Sequence, residues 1–126
     1  MRSSHSFLLL SGSLLGLTGV ALGAFGAHGL KPTFEATGGL ENWKTAVLYQ
    51  LIHAVALVAL SGRAEPGVRR AGFFWTVGVI LFSGSLYLLA VGAPVKYLWP
   101  VTPAGRLALL LGWATLTWSA LSQPKA

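Results

Sequence analysis

Cysteine is absent from the 126 residues of this chain, and acidic residues number only three. Without cysteine the chain has no disulfide, no thiolate metal site and no cysteine nucleophile. The three acids, Glu35, Glu41 and Glu65, all lie between long apolar stretches, so none of those stretches contains a carboxylate. This distribution excludes catalysis by paired carboxylates, and metal pairs held by carboxylates, within the apolar stretches.

Charge is scarce throughout the chain. Charged residues make up 10% of it and hydrophobic residues 54%, whereas an ordinary soluble domain is roughly 25% charged. A soluble protein of this size cannot bury so much apolar surface, so we expect the lipid bilayer to be its solvent. The net charge of +6 comes from basic residues placed singly at the ends of apolar stretches. That placement favours contacts with lipid headgroups and predicts no nucleic-acid partner.

Four apolar stretches are long enough to cross a bilayer as helices, which need about 20 residues for a hydrocarbon core of about 30 Å. They cover approximately residues 7–26, 43–60, 71–91 and 103–121. The sequence therefore predicts an all-α integral membrane four-helix bundle, a single transmembrane domain over residues 1–126 with short loops. The first loop has room for a short interfacial helix, and Asn42 and Thr102 are predicted to cap the second and fourth spans.

An even number of spans places both termini on the same side of the membrane. The basic residues on that side are Arg2, Arg63, Arg69, Arg70 and Lys125, and those on the other side are Lys31, Lys44, Lys96 and Arg106. The numbers are similar, but the cluster of arginines falls in the tightest loop, between the second and third spans. We therefore expect a multi-pass protein of the bacterial plasma (inner) membrane with cytoplasmic termini.

Small residues recur at spacings of three and four along the first and fourth spans, a pattern that lets helices approach closely. The predicted helix-packing residues are Gly12, Gly16, Gly19, Gly23, Gly105, Ala108 and Gly112. Two such faces exceed what one bundle needs. One hypothesis is therefore that the chain packs against a second copy of itself, as a homo-oligomer, or against another membrane protein.

A set of polar residues falls in the half of the spans opposite the termini, and we call it the polar cluster. Its members are His28, Tyr49, Gln50, His53, Ser83, Ser85, Tyr87 and Arg106. An unsatisfied polar group in hydrocarbon costs several kcal/mol, whereas a hydrogen bond between membrane helices contributes only about 0.6 kcal/mol. Gln50 and His53 are therefore predicted to face residues 83–87 or the glycine face of the first span, away from lipid.

His53 has two interpretations, and the sequence leaves both open. It is either a neutral imidazole that hydrogen-bonds inside the bundle, or a proton carrier or ligand contact. We expect no metal and no cofactor, because His28 and His53 lie at different depths and no third ligand accompanies them. We also expect no enzyme, because no carboxylate at that depth could orient His53 toward Ser83 or Ser85. Arg106 either extends to the interface or contacts an anion or lipid headgroup.

Four sequence blocks in order resemble the Domain of Unknown Function 423 family, also called the UPF0382 or transmembrane protein 256-like family. The blocks are GAFGAHGL (residues 23–30), WKTAVLYQLIHAVAL (43–57), LFSGSLYLLAVG (81–92) and PVTPAGRLALLLGW (100–113). The resemblance implies a small integral membrane protein with about four spans, and no established activity, substrate or catalytic residue. The function expected is a structural, accessory or lipid-interacting one. The alternative is a small transporter or channel for a neutral solute or lipid that uses Gln50 and His53.

Overall fold

Helices account for nearly all of the described chain. The computed structural model describes residues 2–123, with side chains from residue 7 onward. Its elements are α1 (Arg2–His28), α2 (Lys31–Thr37), α3 (Leu40–Leu60), α4 (Pro66–Ala90), α5 (Val95–Leu98) and α6 (Val101–Leu121). The short helix α2 lies in the first loop, where the sequence left room for one, whereas α5 was not predicted.

Three helices in the described part of the chain are long and apolar enough to cross a membrane: Phe7–His28, Leu40–Leu60 and Pro66–Ala90. The protein is therefore an all-helical membrane protein, as its composition predicted. The fourth predicted span corresponds to α6, which has 21 residues but is not among these three.

Helices α3, α4 and α6 begin at other residues than predicted, and none of them has a side-chain hydrogen bond that caps its start. Helix α3 begins at Leu40, after Gly39, without a side-chain cap, so the prediction that Asn42 caps it was wrong. Helix α4 begins at Pro66 rather than near residue 71, since proline suits the first turn of a helix, where its missing N–H has no partner to lose.

The prediction that Thr102 caps the last helix was also wrong. Helix α6 already begins at Val101, with Pro100 at the capping position and no side-chain cap. The Thr102 hydroxyl instead lies 2.6 Å from the hydroxyl of Ser85 on α4. A contact between helices has thus replaced the expected cap.

The long helices pack side by side in the order α1, α3, α4, α6, with α4 contacting both α3 and α6 extensively. Trp75, Phe82 and Leu57 are among the most deeply buried side chains and lie at the centre of the core. A second, smaller cluster of Phe34, Trp43 and Ala90 joins α2 to the start of α3 and the end of α4. The core therefore extends from one end of the long helices to the other.

Close packing between the helices uses glycine at several positions. A Cβ added at Gly12 would meet Leu57, Val58 and the carbonyl of Ala54, all on α3. Gly19 faces Leu51 and Gln50 on the same helix, and the nearest atoms to Gly16 and Gly23 also belong to α3. On α6, Gly105 meets the backbone of Phe82 and Gly112 meets Trp75, while Ala108 is partly exposed. The predicted helix-packing glycines therefore make contacts within this chain.

Hydrogen bonds stabilise the connections between helices at each end of the bundle. Thr37 donates a hydrogen bond of 2.7 Å to the carbonyl of Ala90, and Gly38 ends α2 with φ of 71°. In the tight loop between α3 and α4, Arg63 donates a 2.8 Å hydrogen bond to Glu65 and so lowers the pKa of that carboxyl. The orientation of the termini was also predicted from Arg2 and Lys125; the side chain of Arg2 and the whole of Lys125 lie outside the described part of the chain.

Large apolar side chains are exposed on every long helix. Examples are Leu17 on α1 at 69%, Val55 on α3 at 69%, Ile80 on α4 at 60% and Leu110 on α6 at 64%. Soluble monomers rarely expose contiguous apolar surfaces of this extent. These outer faces therefore suit contact with lipid acyl chains.

Candidate functional site

Gln50 connects three helices through its side-chain amide. The Nε2 atom donates to the carbonyl of Leu15 (2.9 Å) and to the hydroxyl of Thr18 (2.8 Å), both on α1. The Oε1 atom accepts a hydrogen bond of 2.6 Å from the hydroxyl of Tyr87 on α4. Gln50 is 4% exposed, and both ends of its amide are satisfied by protein. The structure places Gln50 between the two regions that the sequence indicated.

Trp43 and Tyr87 lie above Gln50, toward the surface opposite the termini. The Trp43 indole donates 2.9 Å to the carbonyl of Leu22, and its ring packs edge-on against Tyr87 with centroids 4.7 Å apart. The indole also lies directly against Gly26, where a side chain would collide with it. This contact ties α1 to α3 at the level where indoles favour the bilayer interface.

His53 has both ring nitrogens occupied. Nδ1 lies 2.7 Å from the carbonyl of Tyr49, and Nε2 lies 2.9 Å from the indole nitrogen of Trp113 on α6. A carbonyl can only accept a hydrogen bond and an indole N–H can only donate one. The imidazole is therefore neutral, with its proton on Nδ1 and its Nε2 lone pair directed at Trp113. In this arrangement neither nitrogen is free for a metal or for an incoming proton.

Aromatic rings surround His53. Trp75 and Trp113 each lie 5.8 Å from the imidazole centroid, and the two indoles are 4.5 Å apart. Tyr49 stacks on the other side at 6.3 Å. The Trp75 indole N–H is buried without a hydrogen-bond partner in the described chain, and its ring packs against Gly112. The surroundings of His53 are thus apolar and closely filled.

The two buried serines bind backbone and a neighbouring hydroxyl. Ser83 donates 2.8 Å to the carbonyl of Ala46 on α3. Ser85 donates 2.8 Å to the carbonyl of Phe82 and lies 2.6 Å from the hydroxyl of Thr102 on α6. Each serine therefore joins α4 to a neighbouring helix, and the hydrogen bonds of His53 go to other groups.

The polar cluster divides into an interior and an outer part. The interior members, all buried or half-buried, are Tyr49, Gln50, His53, Ser83, Ser85 and Tyr87. The structure does not bring His28 to them, because it is exposed at the end of α1. Arg106 is also exposed, and its guanidinium lies 5.3 Å from the centroid of the Phe82 ring. The interior part is suited to holding helices together, because its donors and acceptors face one another.

A groove between α1, α2 and α3 lies near these residues. It has a volume of about 950 Å³ and opens near the surface opposite the termini. Its walls are lined by Gly23, Gly26, Ala27, Phe34, Leu40, Trp43, Val47, Leu48 and Leu51. Three charged residues, Lys31, Glu35 and Lys44, complete the lining, and Lys44 also lies 3.7 Å from Glu41. The groove is thus apolar along its length and charged at one end.

Sequence reasoning missed three residues that complete the interior network: Thr18, Trp43 and Trp113. Thr18 and Trp113 lie on apolar helices where they resemble ordinary packing residues. A usable signal did exist for Trp113, because His53 needs a donor for its second nitrogen and an indole is one of the few donors at that depth. For Thr18, no pattern in the sequence distinguishes it from Ser11 or Ser13.

A comparison with family models identifies the group to which the chain is related. The model described as "Protein of unknown function (DUF423)" matches residues 22–105. The chain belongs to the DUF423 family. Its resemblance to this family, expected from the four sequence blocks, is thereby confirmed.

Relatives of this DUF423 protein are named as membrane proteins. UPF0382 membrane protein YwdK of Bacillus subtilis is 36% identical over 120 residues, covering 91% of this chain and 95% of that protein. A UPF0382 membrane protein of Haemophilus influenzae is 42% identical over 109 residues, covering 84% and 86%. One from Schizosaccharomyces pombe is 39% identical over 109 residues, covering 82% and 92%. No solved structure matches the chain. The family thus gives a membrane location and no activity.

Proposed function

We propose that this DUF423 protein is a four-span, lipid-binding accessory protein of the bacterial plasma membrane, without catalytic activity. The observation that carries the proposal is the groove between α1, α2 and α3. Its volume of about 950 Å³ lies at the upper end of the range of roughly 300–1,000 Å³ that is usual for small-molecule sites. An apolar groove in a bilayer is filled by acyl chains unless protein occupies it.

The charges at the groove favour a zwitterionic phospholipid. Lys31 and Lys44 supply two cations for a phosphate, and Glu35 supplies an anion for an amine. Because Glu41 pairs with Lys44, the charges around this end of the groove balance. A lipid such as phosphatidylethanolamine carries both complementary charges in one headgroup.

A fourth span is supported by the length and surface of α6. Its 21 residues extend about 30 Å, which matches the hydrocarbon core of a bilayer. Its outer face exposes Leu110, Trp118 and Leu121 at 64%, 72% and 77%. With four spans the termini share one side. Arg63 in the short α3–α4 loop, together with Arg69 and Arg70 near the start of α4, favours the cytoplasm for that side.

The transporter alternative has weaker support. It needs Gln50 and His53 to be available to a solute, but both are 4% exposed and fully hydrogen-bonded to protein. A homo-oligomer is not part of the proposal either, because the glycines that motivated it pack within the chain.

Native mass spectrometry of the purified protein tests the groove. The protein is released from mild detergent after incubation with phosphatidylethanolamine, and the fraction that retains one lipid is measured. Ala27 is exposed and lines the groove, so Ala27→Trp should fill it and lower the retained fraction severalfold. The matched variant Ala21→Trp places the same side chain on an exposed position of α1 outside the groove.

The groove assignment predicts that Ala21→Trp retains as much lipid as the wild type. Equal retention by Ala27→Trp and Ala21→Trp, or no retained lipid in the wild type, would overturn the proposal. Both variants should melt at similar temperatures, because each substitution adds bulk at an exposed position.

A further inference from the structure

The part of the molecule formed by α5 and α6 differs in charge from the groove. No acidic residue follows Glu65 in the sequence, and neither Lys96 nor Arg106 forms an ion pair within the described residues. Lys96 lies 5.0 Å from the ring of Tyr97, which is 66% exposed, as is Trp99. This corner is therefore cationic and aromatic, whereas the end of the groove is balanced.

Packing holds Arg106 in a defined position. Gly105 lies directly against the backbone of Phe82, so the next residue projects over the Phe82 ring, with the guanidinium carbon 5.3 Å from the centroid. Tyr49 supports the same ring at 4.8 Å. A guanidinium stacked on a ring keeps its N–H groups in its own plane, where they can donate to a phosphate. Arg106 begins the second turn of α6, about 7 Å below the helix start.

An apolar stripe continues from Arg106 along the helix. Leu110 and Trp113 follow at spacings of four and three, so they share the face of Arg106. They are 64% and 41% exposed. The hydrogen bond from Trp113 to His53 fixes the orientation of that indole. We call Arg106, Leu110 and Trp113 the α6 stripe: a cation at headgroup depth above an exposed apolar surface.

We propose that the α6 stripe binds an anionic phospholipid. The phosphate lies on the guanidinium of Arg106, Lys96 adds to the positive potential, and an acyl chain lies along Leu110 and Trp113. The occupant is a lipid rather than a soluble anion, because the surface below the cation is apolar. This site is separate from the groove, but it rests on the proposed crossing of the membrane by α6.

The test uses phosphatidylglycerol and phosphatidylethanolamine as competing probes in native mass spectrometry. The wild type should retain phosphatidylglycerol in preference at one site, and Arg106→Gln should lower that preference about fivefold, as expected for one basic contact near a membrane surface. Arg106→Lys should keep part of the preference, because it keeps the charge but loses the planar donors. The matched control Arg70→Gln removes an exposed cation outside both the groove and the α6 stripe, and it should leave the preference unchanged.

Retention of phosphatidylethanolamine reports on folding and on the groove in the same spectra. Arg106→Gln should retain it as the wild type does, whereas Ala27→Trp should lose it and keep the preference for phosphatidylglycerol. A wild type without preference for phosphatidylglycerol, or an unchanged preference in Arg106→Gln, would overturn this assignment. An equal loss in Arg70→Gln and Arg106→Gln would do so as well, since it would indicate a general effect of charge.

Discussion

For His53, a role as proton carrier or ligand contact has to be distinguished from a role in holding helices together. Its Nδ1–H donates to the backbone of its own helix, and its Nε2 accepts from Trp113 on α6. Protonation of Nε2 would remove the acceptor that Trp113 uses, and so would separate α3 from α6 at this point. The contacts around the ring are those of a side chain that joins helices, with no partner able to supply or receive a proton.

Substitution of His53 should affect stability according to hydrogen-bonding capacity. His53→Ala leaves the Trp113 N–H unpaired and opens a cavity, so we expect a loss of about 2–4 kcal/mol of unfolding free energy. His53→Gln keeps a donor and an acceptor, and should lose about 1 kcal/mol. Unfolding by sodium dodecyl sulfate in mixed micelles measures both values.

Trp113→Phe is the matched variant, because it removes the donor to His53 together with part of the indole ring, and it should cost about 1–2 kcal/mol. The packing interpretation fails if His53→Gln is as unstable as His53→Ala. It fails also if His53→Gln is stable yet loses a measurable proton or solute flux.

The inward direction of Gln50 and His53 could be predicted from energetics alone, because the penalty for exposing them to lipid exceeds the gain from any single bond. Gln50 meets both regions that were predicted for it, whereas His53, predicted to face the same regions, is bonded instead to Trp113 on α6. Thr18 has no distinguishing pattern in the sequence, whereas Trp113 is one of the few donors available to His53. The rotation of each helix about its axis decides which side chains meet. That rotation follows from packing along the whole helix.

The helices are brought together by glycines that leave no space for a side chain. At Gly105, an added Cβ would meet the backbone N and Cα of Phe82, which cannot move without separating α4 from α6. At Gly16, the nearest atom to an added Cβ is 3.9 Å away, on Ala54. The same residue type therefore has different importance at two positions.

Alanine substitution at these two glycines should give opposite results. Gly105→Ala should lower the unfolding free energy by about 1–3 kcal/mol, because overpacking forces the two helices apart. Gly16→Ala should be neutral or raise it by about 0.5–1 kcal/mol, because glycine costs conformational entropy within a helix. The melting temperature in detergent measures the difference, and a tolerated Gly105→Ala would contradict the close contact between α4 and α6.

Sequence patterns located the long helices but not their starts. The third span was predicted to begin near residue 71, whereas α4 already begins at Pro66. Proline interrupts a helix on its amino-terminal side and permits one after it, so its position alone does not tell which helix it belongs to. Thr102 was interpreted as a cap, but Ser85 on the neighbouring helix competes for its hydroxyl.

The two halves of the molecule are held together by different kinds of side chain. The half near the termini is held by apolar side chains such as Leu8, Leu57 and Val68. The other half contains the hydrogen-bonded network of Gln50 and Tyr87, and it also carries the groove and the α6 stripe. Each of these assignments depends on four helices that cross the bilayer, and therefore on whether α6 crosses it.

Labelling of single cysteines tests whether α6 crosses the membrane, and the natural chain has no cysteine to remove first. Ala64→Cys marks the α3–α4 loop, Val95→Cys marks α5, and Ser122→Cys marks the end of α6; all three positions are exposed. An impermeant maleimide is applied to vesicles of known orientation. If four helices cross the membrane, Ser122→Cys is labelled from the same side as Ala64→Cys, which is the cytoplasmic side, and Val95→Cys from the other. Labelling of Ser122→Cys from the side of Val95→Cys would mean three spans and would contradict the four-span arrangement.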